Sequence, residues 1–193
     1  MSTGPPRAVL VRHAETEWSL SGQHTGLTDL PLTEHGREVA RTLAQPLSGW
    51  SFQRVLVSPS LRARETCELA GLGVSAEVRD ELHEWDYGDY EGLTSAQIEA
   101  IDPDWDLWRD GCPGGESPAE VGARLDAIVA ELAAADGPVA VFSHGHALRV
   151  LGVRWIELAP AHGRHLGLST ASVSMLGHER QTPVLARWND TVG

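Results

Sequence analysis

Two short apolar runs, each stopping abruptly at a histidine-bearing turn, constrain the fold of this chain more than any other feature. Residues 8–11 read Ala-Val-Leu-Val and are followed directly by Arg12-His13. Residues 139–142 read Val-Ala-Val-Phe and lead into Ser143-His144-Gly145-His146. An uninterrupted apolar run of this length is typical of a strand that is buried on both faces, as in a parallel sheet. The sequence therefore predicts two central strands that end in histidine-bearing turns.

The rest of the chain alternates between helical and strand patterns. Cap signals predict four helices, which begin at Thr33, Ser58, Thr94 and Ser117. The other predicted elements are a helix from Ala147 to about Leu158, a buried strand at 55–57, an edge strand at 74–78, and a closing hairpin of 172–176 and 184–188. This alternation predicts one α/β domain over residues 1–193, a three-layer α/β/α sandwich with a mainly parallel central sheet.

The charge balance restricts the partners of the protein. The chain carries 15 Lys and Arg against 27 Asp and Glu, a formal net charge of −12. Because such a chain is a poor binder of nucleic acid or of an anionic membrane, neither is expected as a partner.

Cys67 and Cys112 are the only cysteines and imply no disulfide framework. No apolar stretch has the length of a transmembrane helix or signal segment, so we expect a cytoplasmic protein.

Arginines accompany the histidine turns in the predicted fold. In a parallel sheet the carboxyl ends of the strands share one edge, so we expect Arg12, His13 and His144 to meet in one crevice. The helix predicted from Ser58 carries Arg62 near its amino-terminal end, where backbone N–H groups also favour an anion. Guanidinium donors suit a phosphate, and a histidine can act as a nucleophile. The sequence thus predicts a phosphate pocket that contains a nucleophile.

The acidic stretch over residues 81–88 offers a source of protons for the same pocket. Phosphoryl transfer needs a proton for the leaving group, and a carboxylic acid can supply it. Glu81, Glu84 and Asp86 are the candidates, and periodicity alone does not choose among them.

Several segments form an ordered set of motifs along nearly the whole chain. They are Arg12-His13-Ala14-Glu15-Thr16-Glu17-Trp18, Thr25-Gly26, Leu30-Pro31-Leu32-Thr33, Ser58-Pro59-Ser60-Leu61-Arg62, Glu84-Trp85-Asp86-Tyr87-Gly88, Trp108-Arg109-Asp110-Gly111-Cys112 and Ser143-His144-Gly145-His146. In this order they resemble the histidine phosphatase superfamily, also called the phosphoglycerate-mutase-like family. Within it, the chain looks most like small bacterial acid phosphatases and sedoheptulose-bisphosphatase-like enzymes.

The resemblance implies a role for each matching residue. His13 would attack phosphorus and become a phosphohistidine, and Glu84 would protonate the leaving oxygen and then activate water. Arg12, Arg62 and His144 would hold the phosphoryl oxygens. The residues expected to bind the rest of the substrate are Ser19, Thr25, Gly26, Tyr87, Arg109, Gly145 and His146. The family chemistry uses no metal and no cofactor, and a homodimer is a family-level expectation.

Two residues depart from the family pattern. Ala14 stands where the family usually has glycine, so a methyl group occupies a position where glycine would permit a positive φ or a close backbone approach to phosphate. Ser19 stands where mutases carry asparagine, although a hydroxyl can still donate to phosphate. We expect the change at Ala14 to reduce or retune activity at most.

The segment after Trp108-Arg109 helps to distinguish a phosphatase, which transfers the phosphoryl group to water, from a mutase, which transfers it to a second hydroxyl of the substrate. The mutases that the chain resembles carry a long insertion there, whereas here Gly114-Gly115 follows almost at once. The cap is therefore expected to be short and the pocket open to water. We predict a metal-independent phosphomonoesterase of the histidine acid phosphatase type. Its substrate would be a small phosphorylated metabolite such as a sugar phosphate, a sugar bisphosphate or a phosphoglycerate.

Three alternatives compete with this prediction. They are a phosphoglycerate-type phosphomutase, a non-catalytic module that binds a phospho-ligand, and a metallohydrolase. The last would bind its metal through His144 and His146 together with His13, His83 or a carboxylate.

The surroundings of the pocket leave two details open. The aromatic residues Trp85, Tyr87, Tyr90 and Trp105 either form a wall for the organic part of a substrate or pack the cap. His24 and Arg109 are expected at the mouth of the pocket, and Arg149 is expected to be a solvated surface charge.

Overall fold

One six-stranded sheet organises residues 7–191, the part of the chain that the computed structural model describes. Its strands are Ala8–Arg12 (β1), Arg54–Val57 (β2), Ala76–Val78 (β3), Val139–Ser143 (β4), Ser172–Glu179 (β5) and Thr182–Thr191 (β6). They lie in the order β3-β2-β4-β1-β5-β6. Strands β3, β2, β4 and β1 are parallel, whereas β5 pairs antiparallel with both β1 and β6. The mainly parallel sheet predicted from the sequence is confirmed.

The carboxyl ends of β2, β4 and β1 lie side by side. Arg12 pairs with Ser143 in the ladder between β1 and β4. Beyond the strand ends, the N–H of His13 donates to the carbonyl of Ser143 over 2.9 Å, and the N–H of Ser58 donates to the carbonyl of Phe142 over 2.9 Å. The prediction that the two histidine turns meet at one edge of the sheet is confirmed, and Ser58 joins them there.

Helices cover both faces of the sheet. The α-helices are Glu17–Ser21 (α1), Glu34–Thr42 (α2), Ala44–Leu47 (α3), Leu61–Leu69 (α4), Ser95–Ile101 (α5), Leu107–Asp110 (α6), Pro118–Ala134 (α7) and Gly145–Trp155 (α8). Short 3-10 helices span Gly73–Ser75, Asp80–Leu82, Gly88–Tyr90 and Pro160–His165.

Successive residues of β1 pack on opposite faces of the sheet, as the pleat requires. Val9 and Val11 contribute to a core shared with α2, α3 and α4, and Ala8 and Leu10 to a core shared with α5, α7 and α8. The result is the predicted three-layer sandwich. Between β3 and α7 the chain forms only short helices and loops, which make up the cap.

Helix α4 begins later than the sequence predicts. Ser58-Pro59 has the pattern of a cap followed by proline at the first helical position, yet the cap residue is Ser60 and the helix begins at Leu61. The N–H of Ser58 continues the sheet ladder, and its hydroxyl is bonded to His144 instead of to the first turn of a helix. Tertiary contacts at the sheet edge therefore override the local cap signal.

Helix α8 begins two residues earlier than the predicted start at Ala147. It runs over Gly145–Trp155, and His144 is the residue before its first turn, with an extended backbone at φ −125° and ψ 175°. The turn between β4 and α8 is thus a single residue. This tight connection places the amino-terminal end of α8 directly at the sheet edge.

Local cap signals elsewhere are confirmed. Thr33 accepts a hydrogen bond from the N–H of Gly36, and reciprocal capping boxes form at Thr94 and Ser117. The predicted edge strand and closing hairpin are present as β3 and as β5 with β6. In residues 7–191, no helix combines the length and apolarity needed to span a bilayer.

Candidate active site

His13 lies at the carboxyl end of β1, 5% exposed and at the bottom of a cleft. Its Nδ1 is 2.7 Å from the carbonyl oxygen of Ala14. Because a carbonyl only accepts, Nδ1 carries the proton and donates it, and Nε2 keeps its lone pair. Burial lowers the pKa of His13 well below 6.5, and the charges of Arg12 and Arg62 lower it further. The ring is therefore neutral with a free nucleophilic nitrogen.

His144 lies next to His13, with the two ring centroids 5.3 Å apart. The Nε of Arg62 donates to His144 Nδ1 over 3.2 Å, so Nδ1 is an acceptor. The proton of the ring is therefore on Nε2, which donates to Ser58 Oγ over 2.7 Å. Burial lowers the pKa of His144 well below 6.5, with Arg62 the largest charge acting in the same direction.

Arg62, at the start of α4, is fully buried against His144. Its terminal nitrogens donate to the backbone carbonyls of Thr25, Gly26 and Thr28, over 2.9 to 3.1 Å. Burial lowers the pKa of Arg62 from its ordinary value. Together His13, His144, Arg62 and Ser58 form what we call the floor of the site. The structure brings Arg62 and His144 together as predicted, but both lie below the surface of the cleft.

Glu91 holds the same loop from its other side. Its carboxylate accepts the N–H of Gly26 at 2.9 Å and the N–H of Thr28 at 3.1 Å. The loop is thus fixed between a carboxylate that binds its N–H groups and the Arg62 guanidinium that binds its carbonyls. Gly26 fits this packed position because a Cβ there would lie 2.5 Å from the carbonyl oxygen of Trp85.

Glu84 is attached to the amino-terminal end of α8. One carboxylate oxygen accepts the N–H groups of Trp85 at 2.9 Å and Ala147 at 2.8 Å, and the other accepts the N–H of His146 at 3.0 Å. The carboxyl group is 5% exposed and lines the cleft. Of the three acidic candidates, Glu84 alone is among the residues that line the cleft.

Arg12 lines the same cleft as Glu84, and one of its terminal nitrogens donates to the carbonyl of Leu168. Its Nε is the one fully buried side-chain polar atom in residues 7–191 that has no hydrogen-bond partner. A Cβ on Gly145 would lie 3.3 Å from the guanidinium carbon of Arg12. Gly145 therefore gives the Arg12 side chain room to enter the site.

The cleft has a volume of about 240 Å³. Its lining carries the guanidiniums of Arg12 and Arg149 against the single carboxylate of Glu84. The remaining lining residues are His13, Trp18, Ser19, Gly22, Gln23, His24, Thr25, Tyr87, Ser95, Gly145, His146 and Leu168. In a chain of net charge −12, this concentrates positive charge where a phosphate would bind.

We call three of the ring-bearing residues that line the cleft the outer wall: His24, Tyr87 and His146. The Tyr87 hydroxyl is 2.6 Å from His146 Nδ1, and His24 Nδ1 is 2.9 Å from the carbonyl oxygen of Leu93. Trp85 and Tyr90 are buried as well, but neither lines the cleft. The predicted aromatic cluster thus divides into a wall residue, Tyr87, and packing residues.

The structure places the predicted substrate-binding residues in different settings. Ser19, Thr25, Tyr87, Gly145 and His146 line the cleft. Ser19 also closes a capping box with Thr16, whose carbonyl accepts its hydroxyl proton at 2.9 Å. Gly26 lies behind the lining, where it holds Arg62.

The prediction for Arg109 is corrected. Its side chain is 62% exposed, is paired with Asp110 at 2.6 Å, and is absent from the cleft lining. The guanidinium is paired with a neighbouring carboxylate of the same short helix and not with a residue of the cleft. The charge pattern alone did not reveal this local pairing.

Sequence reasoning missed Arg149, which was expected to be a surface charge. It lies over the ring of Trp108, 4.5 Å from the ring centroid, and lines the cleft. The signal that could have found it is its spacing from His146, because residues three apart share one face of a helix. Burial lowers the pKa of Arg149 from its ordinary value.

Ala14 carries no backbone strain. It is fully buried, and it is not among the four non-glycine residues with a positive φ in residues 7–191. Its N–H donates to the hydroxyl of Thr66 over 3.0 Å. The methyl group therefore fits the core beside β1, and a positive φ is no longer a reason to expect a penalty at this position.

His144 and His146, the two histidines common to every version of the metal alternative, have other partners. Both ring nitrogens of His144 already have partners in Arg62 and Ser58, and His146 Nδ1 is bonded to Tyr87. Within residues 7–191, no group of three or more His, Cys, Asp or Glu side chains is arranged to hold a metal ion.

Comparisons with known proteins agree with this geometry. A family model described as the histidine phosphatase superfamily (branch 1) matches residues 8–191. The chain is 43% identical over 186 residues to an acid phosphatase of Mycobacterium tuberculosis, covering 93% of this chain and 90% of that protein. It is 39% identical over 187 residues to a sedoheptulose 1,7-bisphosphatase of Saccharomyces cerevisiae, covering 79% and 68%. The solved structure of a Mycobacterium tuberculosis open reading frame superposes with a TM-score of 0.90 at 42% identity, covering 95% of this chain and 97% of that one.

Proposed function

The chain belongs to the histidine phosphatase superfamily, and on that premise we propose that it hydrolyses small phosphate monoesters through a phosphohistidine on His13. The observation that carries this proposal is the state of His13. Its Nδ1 is tied to the backbone, its ring is neutral, and its Nε2 is free at the bottom of a cleft lined by Arg12 and Glu84. A nucleophile, a phosphate-binding cation and an acid therefore share one small space.

The first half of the proposed reaction forms the phosphoenzyme. The Nε2 lone pair of His13 attacks phosphorus and forms an N–P bond, while the bond from phosphorus to the ester oxygen breaks. The carboxylic acid of Glu84 gives its proton to that oxygen, and the alcohol leaves. Arg12 lines the cleft beside His13, and its positive charge neutralises charge on the phosphoryl oxygens.

The second half regenerates His13. The Glu84 carboxylate takes a proton from water, and the water oxygen bonds to phosphorus as the N–P bond breaks. Inorganic phosphate leaves, and His13 recovers its lone pair. We keep Arg62 and His144 as phosphoryl-binding residues in this proposal, as the family resemblance implies. The Arg62 charge acts on the ring of His13, and His144, next to that ring, would donate its Nε2 proton to a phosphoryl oxygen in exchange for Ser58.

The short cap favours hydrolysis over phosphoryl return to a second hydroxyl. Only residues 111–117 lie between α6 and α7, so little chain is available to cover the cleft. An open cleft admits the water that the second half of the reaction consumes. The proposed substrates are sugar phosphates, sugar bisphosphates and phosphoglycerate-like esters.

The setting of the protein is also part of the proposal. We place it in the cytoplasm because Cys67 and Cys112 are both free, buried thiols. Its partner is a small metabolite and not nucleic acid or membrane, in keeping with its net charge of −12. The homodimer stays a prediction, and sedimentation of the pure protein measures it directly.

Phosphate release from a panel of metabolite esters, measured in excess chelator, tests the proposed function. The wild type should release phosphate from some members of the panel, and His13→Ala should release none. His35→Ala is the matched control, because His35 is an exposed histidine on α2 outside the cleft. Activity that is lost to the chelator, activity that persists in His13→Ala, or transfer to a second hydroxyl in place of release would each contradict the proposal.

A further inference from the structure

The tautomer of His24 is determined by its surroundings. Its Nδ1 lies 2.9 Å from the carbonyl oxygen of Leu93. A carbonyl cannot donate, so Nδ1 carries the proton. In the neutral ring the other nitrogen, Nε2, is then a hydrogen-bond acceptor. His24 therefore presents a lone pair on the outer wall.

In His146 the ring proton is on Nε2 and not on Nδ1, because Tyr87 donates a hydrogen bond to Nδ1. The Tyr87 side chain is 2% exposed, and His146 Nδ1 is the partner of its hydroxyl, at 2.6 Å. Burial raises the pKa of Tyr87 well above 10, so the phenol keeps its proton and must place it on an acceptor. The phenol therefore donates to His146 Nδ1, and the ring proton of His146 is on Nε2.

The two remaining ring nitrogens are accessible. His24 Nε2 and His146 Nε2 have no partner in residues 7–191, yet neither is among the fully buried polar atoms without a partner. Both residues line the cleft. Their rings are nearly parallel, 8° apart in plane, with centroids separated by 6.2 Å. The outer wall thus displays one acceptor and one donor side by side.

We propose that His24 and His146 form a pair that reads a hydroxyl group on the alcohol part of the substrate. A hydroxyl can donate to His24 Nε2 and accept from His146 Nε2–H, and it satisfies both. The pair therefore selects phosphate esters of polyols over phosphate esters of simple alcohols. This inference rests on the proposed phosphatase function and deepens it.

Tyr87 is the positioning residue of the pair. Without its phenol, His146 is free to move its proton from Nε2 to Nδ1, and the donor on the outer wall is lost for part of the molecules. The hydroxyl of Tyr87 thus acts on the substrate through His146. This role predicts an effect on hydroxyl preference that a purely packing role would not produce.

The test is a ratio of kcat/KM values for matched esters. Glycerol 3-phosphate and the isomeric hydroxypropyl phosphates are each compared with propyl phosphate, which has the same chain without a hydroxyl. The wild type should favour at least one hydroxylated ester about tenfold, the effect of one to two neutral hydrogen bonds. Because both esters are measured on the same preparation, the fraction of folded enzyme cancels from the ratio.

Three variants and one control make the test specific. His24→Phe and His146→Phe should each bring the ratio close to one, whatever their effect on the absolute rates. Tyr87→Phe should lower it part of the way. His35→Phe, which replaces an exposed histidine outside the cleft, should leave it unchanged.

Either of two results overturns the inference. The first is a wild type that hydrolyses propyl phosphate as well as every hydroxylated ester. The second is a preference that survives in both His24→Phe and His146→Phe. A failure of the phosphatase proposal looks different, since the wild type would then release no phosphate from any ester, p-nitrophenyl phosphate included.

Discussion

The floor and the outer wall of the cleft are built in different ways. The floor lies at the ends of three adjacent strands and the start of α4. Ser58, His144 and Arg62 are linked by side-chain hydrogen bonds, and Arg62 also binds the backbone of a loop that Glu91 holds. The outer wall combines a loop residue, a cap residue and a residue in the first turn of α8. Rigid strand ends suit the chemistry common to phosphate esters, whereas loop and cap residues suit selection among alcohols. We therefore expect substitutions in the floor to change the turnover of every ester, and substitutions in the outer wall to change the preference among esters.

The largest separation is expected between His13→Ala and His24→Phe. Loss of the nucleophile should lower kcat by about 10⁴-fold or more on every ester, because the phosphoenzyme cannot form without the His13 ring. The variant on the outer wall should change kcat for propyl phosphate by less than about threefold. Steady-state kinetics of both variants on one ester measure the contrast. Similar losses in the two would remove the distinction between floor and wall.

The next effect concerns Glu84, which lies between the two regions. Glu84→Gln should lower kcat about 10²-fold or more for alkyl phosphates, whose leaving oxygen needs a proton. The loss should be much smaller for p-nitrophenyl phosphate, whose leaving group departs without one. A plot of rate against leaving-group pKa for both proteins measures this. Parallel plots would show that the acid is another group, with Glu81 and Asp86 the next to test.

A smaller effect is expected from Ser58, the least obvious member of the floor. Ser58→Ala removes the acceptor of His144 Nε2–H and should lower kcat about tenfold with little change in KM, because the ring loses its fixed orientation. Ser58→Thr keeps the hydroxyl and should recover most of the rate. Ser51→Ala, at an exposed serine, is the matched control. Equal losses in the alanine and threonine variants would show that only packing is at stake.

The smallest effect on rate is expected from mild acid. Burial and neighbouring arginines hold the pKa values of His13, His144 and His146 below 6.5, so all three stay neutral as the pH falls just below that value. The rate with p-nitrophenyl phosphate should change less than about 1.5-fold between pH 7 and pH 6, whereas the neutral fraction of a free imidazole with a pKa near 6.5 falls about threefold over this range. A rate that follows an ordinary histidine titration would contradict the neutral floor.

The same three histidines should make the free energy of unfolding depend on pH, although they leave the rate nearly unchanged. Below pH 6.5 the unfolded chain binds protons on these three residues, whereas the folded chain does not. The free energy of unfolding should therefore fall as the pH decreases from 6.5, most steeply before the folded-state pKa values are reached. Urea titrations at several pH values measure it. A free energy that is level across this range would show that the histidines are protonated in the folded protein.

Local signals predicted the frame of the molecule well. The apolar runs of β1 and β4 identified the central strands because their residues are buried on both faces, and the serine and threonine caps located most helix starts. Ser58 was misread because its local pattern fits a cap, while its N–H and hydroxyl are used by a neighbouring strand and by His144. Such tertiary partners leave no trace in the adjacent sequence.

The site was predictable where it follows strand ends and less so on its outer side. His13, His144 and Arg62 follow from the sheet edge and the motif order. Arg109 and Arg149 were assigned the wrong way round, because an arginine alone does not reveal whether Asp110 or the ring of Trp108 holds it. Loop and side-chain packing decide those positions.

The most direct test of the central claim is to trap the phosphoenzyme. Wild-type protein is mixed with excess p-nitrophenyl phosphate and chelator, quenched in alkali within a turnover, and analysed by intact mass and peptide mapping. We predict one added phosphoryl group on His13 that appears and decays at the rate of turnover. Turnover with no phosphoryl adduct, or with the adduct on His144 or another residue, would contradict the claim that His13 is the nucleophile.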